Sequence, residues 1–166
     1  MMIKLRLAQK HYIQKIGKTM GHLYILLALA VGVLLPVQVG INAELARRVS
    51  SPITASFFSF MVGTIGLLIC IWIARVPWPG WSMVTTFPAW LWLGGLIGAF
   101  AVFGGVVSGP KIGFLALVAL VLAGQLVASL ILDHNGWLGF PIREMSLGRI
   151  SGSILLLIAV ILIQKY

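Results

Sequence analysis

Five apolar runs, each close to the length that crosses a bilayer, decide what this chain can fold into. They fall at residues 23–43, 52–74, 89–107, 112–132 and 147–163. About twenty apolar residues wound as a helix span the hydrocarbon core, and only a helix satisfies its own backbone there. Turn chemistry separates the runs. Pro52 opens the second at a favoured first-turn position. Pro-Gly-Trp turns fill residues 76–88, Ser108-Gly109-Pro110-Lys111 predicts a short break, and residues 133–146 read as a loop. The expected fold is all-α: an integral membrane protein whose five transmembrane helices occupy residues 22–166, with no room for a soluble domain.

Composition enters as a check. Hydrophobic residues make up 60% and charged residues 9%, against about 25% charged in a soluble domain. Twelve Lys and Arg face three acids, a formal charge of +9. The bases sit in the tail and loops, where they set topology and touch anionic headgroups. No basic surface interleaved with aromatics lies outside the membrane, which excludes nucleic acid as a partner. Trp72, Trp78, Trp81, Trp90 and Trp92 gather around the second loop, as interfacial aromatics do. The single cysteine, Cys70, lies in an apolar run and has no intrachain disulfide partner.

Residues 1–21 form a basic tail with Lys4, Arg6, Lys10, Lys15, Lys18 and no acid. Leu5, Ala8, Tyr12 and Ile16 recur at helical spacing, which fits an amphipathic surface helix. A disordered tail, or an untranslated extension ahead of a start at Met20, fits as well. Five spans put the termini on opposite sides. Without the tail, Arg75, Arg143 and Arg149 on one side face Arg47, Arg48, Lys111 and Lys165 on the other, nearly no bias. Adding the five tail bases makes it eight against four and favours a cytoplasmic N-terminus. A body without charge bias is able to insert both ways.

Two polar strips cross the apolar runs. Gln38 and Asn42, four residues apart, share a helix face just after Pro36, whose ring frees a carbonyl one turn earlier. An unpartnered amide in hydrocarbon costs several kcal/mol, so this face looks into protein or a wet cavity. Gln125, Ser129 and Asp133 repeat the pattern in the fourth run. The substrate-facing candidates are therefore Gln38, Asn42, Ser59, Gln125 and Ser129, with Thr64 as a further hydroxyl. The competing explanation is interhelical hydrogen bonding, about 0.6 kcal/mol per bond. Glu44, near the interface, and the pair Asp133-His134 are candidates for proton coupling; capping and turn chemistry explain Asp133 equally well. Small residues (Ser56, Ser59, Gly63 and Gly66; Gly94, Gly95 and Gly98; Gly105, Gly109 and Gly113) mark close helix contacts. Histidines, cysteine and acids show no metal-ligand spacing. No phosphate loop or nucleophile elbow is present. No enzymatic chemistry, metal or cofactor is expected.

The order of these motifs resembles the short five-helix family, the YdcZ type, of the drug/metabolite transporter superfamily. Gln38-x-x-x-Asn42 closes the first span and Phe60-x-x-Gly63-Thr64 lies in the second. Gly94-Gly95-x-x-Gly98 lies in the third, and Gly124-Gln125 with Asp133-His134-x-Gly136 marks the fourth. The likeness covers the chain from about residue 23 onward; the basic tail departs from it. The resemblance implies a bacterial inner-membrane protein equal to half of a ten-helix transporter built from two inverted repeats with a midplane site. A five-helix chain then needs a second copy, or a paralogue, in the opposite orientation. By that analogy the first four helices line the cavity, with Gln38, Asn42, Ser59 and Gln125 on it. The implied function is transport of a small metabolite or drug-like molecule by alternating access. Alternatives are a proton antiporter of cationic drugs like the small multidrug-resistance proteins, a channel, or a non-transporting membrane subunit.

Overall fold

The computed structural model describes the backbone of residues 2–139 and 141–165 and the side chains of 21–139 and 141–165. Described residues form helices and turns and no strand. The helices are α1 (Met2–Val49), α2 (Pro52–Ile73), a four-residue α3 (Trp81–Val84), α4 (Leu93–Ile112), α5 (Phe114–Asn135) and α6 (Leu147–Lys165). A 3-10 turn, Ala89–Trp92, leads into α4. Among the described residues five segments are long and apolar enough to cross a membrane: Gly21–Val49, Pro52–Ile73, Ala89–Ile112, Phe114–Asn135 and Leu147–Lys165. The amphipathic face expected of Leu5, Ala8, Tyr12 and Ile16 lies outside the described side chains.

The helix ends follow from their residues. Ser50 takes a positive φ of 55°, and Ser51 N–H then closes back on the Ala46 carbonyl at 3.1 Å. The Ser51 hydroxyl accepts from Thr54 N–H at 3.2 Å, and Pro52 fills the first turn, where its missing N–H costs nothing. Two residues thus reverse the chain between α1 and α2. The break expected at 108–111 lies instead at Gly113. A proline disturbs only the carbonyl one turn back. Pro110 therefore stays inside α4, and Gly113 N–H still bonds the Gly109 carbonyl at 2.9 Å. Gly113 has φ 86°, a conformation that favours glycine, so one residue joins α4 to α5.

The chain forms two compact units, Met1–Gln38 and Val39–Tyr166. In the first, the side chains of residues 22–35 are all exposed. In the second, α2 packs on α4, α4 on α5 and α5 on α6. Its interior is built from small side chains. Ala46, Ala55 and Val106 meet where the end of α1, the start of α2 and the middle of α4 converge. Ala119, Ala123 and Val160 join α5 to α6. Most large aliphatic and aromatic side chains point outward, Leu117 at 8% exposure being an exception, and among the described residues no large side chain is fully buried. This arrangement fits a bilayer, where lipid solvates leucine as well as protein does and close backbone approach supplies the attraction. Gly105 shows how close: a Cβ there would sit 3.2 Å from a Val39 methyl.

Candidate functional site

The structure brings two of the candidate residues into contact. Asn42, 4% exposed, donates through Nδ2 to the Ser59 hydroxyl at 3.1 Å, bridging α1 and α2. Both lie one turn or less from the Ala46–Ala55–Val106 cluster in sequence, where small side chains let the helices close over the amide. Buried Ser56 turns its hydroxyl back onto the Pro52 carbonyl at 2.9 Å, so it offers no free donor. Gln38, one helical turn before Asn42, belongs to the first unit and is exposed. Thr64 is exposed on α2.

The α5 strip is open. Gln125 and Ser129 are exposed, and Asp133 at the helix end is half-buried. Among the described residues the side chains of Gln38, Gln125 and Ser129 have no hydrogen-bond partner. Ser129 lines a groove of 290 Å³ between α5 and α6, with Arg149 and Ser153 across from it. Asp133 pairs with Arg149. The same guanidinium donates to the Arg143 carbonyl at 3.0 Å, and Arg143 N–H returns a bond to the Asp133 carbonyl at 2.9 Å. The α5–α6 loop is thereby pinned at both ends. Sequence reading counted Arg149 only for topology. Its signal was available: a lone arginine in the first turn of an apolar span, opposite the acid that ends the preceding one.

Glu44 pairs with Arg47 and with Arg48, the latter at 2.9 Å, all on the last turns of α1. His134 is exposed beside Asn135, whose amide bonds the Ile131 carbonyl at 2.8 Å. Gly136 ends the helix with a left-handed φ of 62°. Turn chemistry therefore accounts for the Asn135-Gly136 segment. No group of His, Cys, Asp and Glu among the described residues is arranged to hold a metal. Cys70 is exposed on α2. Of the small residues, Gly105 and Gly109 are consumed in tight contacts within the chain, whereas Gly63, Gly66, Gly94 and Gly95 face open space.

Five apolar helices among the described residues, with small residues at their contacts, define a multi-pass membrane protein. The model of the family described as "Putative inner membrane exporter, YdcZ" matches residues 23–162. The chain belongs to this family and is a multi-pass protein of the inner membrane. It is 26% identical over 137 residues to the inner membrane protein YdcZ of Escherichia coli strain K12, covering 82% of this chain and 91% of that one. No solved structure matches it.

Proposed function

We propose that the chain is one subunit of a small-molecule exporter that works by alternating access as an antiparallel dimer, its partner a second copy or a paralogue. One observation carries this reading. Gln38 and Gln125 lie within membrane-crossing segments, exposed and without partners among the described residues. An amide left so in hydrocarbon costs several kcal/mol. A second subunit that encloses a wet cavity removes that cost and supplies a substrate site together. Apart from the five tail bases, which favour a cytoplasmic N-terminus, the loop charge is near equal and leaves both orientations open to one sequence. Gln38, Gln125 and Ser129 are the proposed substrate-facing residues; Asn42, 4% exposed and bonded to Ser59, holds the α1–α2 junction instead, and Glu44, Asp133 and His134 are the acids and histidine available for coupling.

The test combines flux with topology. Vesicles carrying the protein are screened against a panel of metabolites and dyes, and the transported compound is then assayed with Gln38→Ala and Gln125→Ala. Flux should fall in each while the protein remains folded and inserted. Full flux in both overturns the site. Reporter fusions at the C-terminus should find both orientations if the partner is a second copy. A single orientation leaves a paralogue as partner or contradicts the antiparallel arrangement.

A further inference from the structure

We propose that the groove between α5 and α6 binds one acidic phospholipid, with Arg149 as its phosphate ligand. The groove is graded in polarity along the helix axes. Arg149 sits in the first turn of α6, Ser153 lies one turn deeper, and Leu156 about two turns deeper. At 1.5 Å per residue these are about 6 Å and 10 Å below Arg149. On the facing helix, Ser129 and then Leu126 step down in the same sense. The headgroup layer of a bilayer is about 5–8 Å deep on each side of a hydrocarbon core of about 30 Å. α6 has 19 residues, just enough to cross that core, so its first turn lies at the boundary. A guanidinium at phosphate depth, the Ser129 hydroxyl at ester depth and leucines at acyl depth match one lipid from head to tail; the Ser153 hydroxyl donates to the Arg149 carbonyl of its own helix at 2.9 Å.

Three further features make this a site for a ligand rather than a gap. Gly152 is open: a Cβ there meets nothing within 4 Å, so the groove wall has room where a side chain would fill it. The Ser129 hydroxyl has no partner among the described residues. Arg149 is held in place by Asp133 and by the Arg143 carbonyl, yet its Nε–H takes no bond there. A planar guanidinium already oriented loses little freedom on meeting a phosphate. With a chain charge of +9, the phosphate also gains a favourable field. The groove shares Ser129 with the transport reading, but lipid retention is read without flux and tests the groove separately.

The probe is phosphatidylglycerol, compared with phosphatidylcholine, in nanodiscs and by native mass spectrometry of the full chain. The wild-type protein should retain one phosphatidylglycerol with a preference of about tenfold, the scale of one charge-assisted hydrogen bond. Gly152→Leu, whose Cβ meets nothing within 4 Å, extends a side chain into the groove and should abolish the preference, as should Arg149→Gln. Asp133→Asn keeps the guanidinium and should keep the preference. Equal behaviour of Arg149→Gln and Asp133→Asn assigns Arg149 to the ion pair alone and overturns the proposal. So does unchanged binding in Gly152→Leu, or displacement of the lipid by inorganic phosphate. Dissociation of a dimer by Gly152→Leu with no change in lipid preference assigns the groove to a second copy instead, and equally overturns it.

Discussion

The junction of α1 and α2 and the outer strip of α5 start from the same chemistry and end in opposite states. Each offers an amide inside an apolar helix with a hydroxyl within reach: Asn42 with Ser59, Gln125 with Ser129. At the junction, Ala43, Ala46 and Ala55 let the helices close, and the amide spends its donor on the neighbouring hydroxyl. On α5, Gln125 and Ser129 stay exposed, Ser129 on the open groove beside α6. An amide at membrane depth therefore has two uses, and the size of the residues around it selects between them. Small neighbours turn it into a helix fastener. An open face leaves it for whatever arrives from outside the subunit.

That contrast can be broken most sharply at Gly105. Gly105→Leu drives a side chain into Val39, 3.2 Å from where its Cβ would stand. Overpacking of this kind costs about 1–3 kcal/mol, and thermal unfolding in detergent should show the loss. Gly95→Leu, with nothing within 4 Å, should leave the unfolding temperature of the isolated chain unchanged. The next effect separates the two amides. Asn42→Leu removes the bond to Ser59 and should lower stability by about 0.6–1.7 kcal/mol. Gln125→Leu should leave stability unchanged and abolish flux. Equal destabilisation by the two would erase the distinction between them. A smaller effect is expected at the loop pin. A double-mutant cycle on Asp133→Ala and Arg149→Ala should give a coupling energy of about 0.2–1 kcal/mol, the range of partly exposed pairs. The smallest change is expected from Glu44→Gln. Its two arginine partners are exposed, and thermal unfolding should not register the substitution. Loss of proton-driven flux in Glu44→Gln would move the mechanism toward antiport of cations.

Much of the architecture was readable in the sequence because a bilayer leaves a chain few choices. Hydrophobic length alone marks a span, so the five apolar segments and the all-α class emerge without tertiary information. What escaped is what depends on partners across space. The joint at Gly113 was hidden behind Pro110, since proline advertises a break that a helix can absorb near its end. Asn42 and Gln125 carry identical signals in one dimension; only packing tells that one is spent and the other free. Arg149 looked like a topology marker because its partner, Asp133, is sixteen residues away and meets it only when α5 and α6 pack side by side.

The central claim is that the uncovered amides border water inside an assembly, and thiol labelling in native membranes tests it most directly. Cys70 is the only cysteine, so Cys70→Ala supplies a background free of thiols. Gln38→Cys and Gln125→Cys are then exposed to a membrane-impermeant maleimide, beside Leu122→Cys on the exposed apolar surface of α5. Both glutamine positions should react far faster than the leucine position. Reaction of all three at the same slow rate would mean that the amides face lipid or protein, and would contradict an aqueous path.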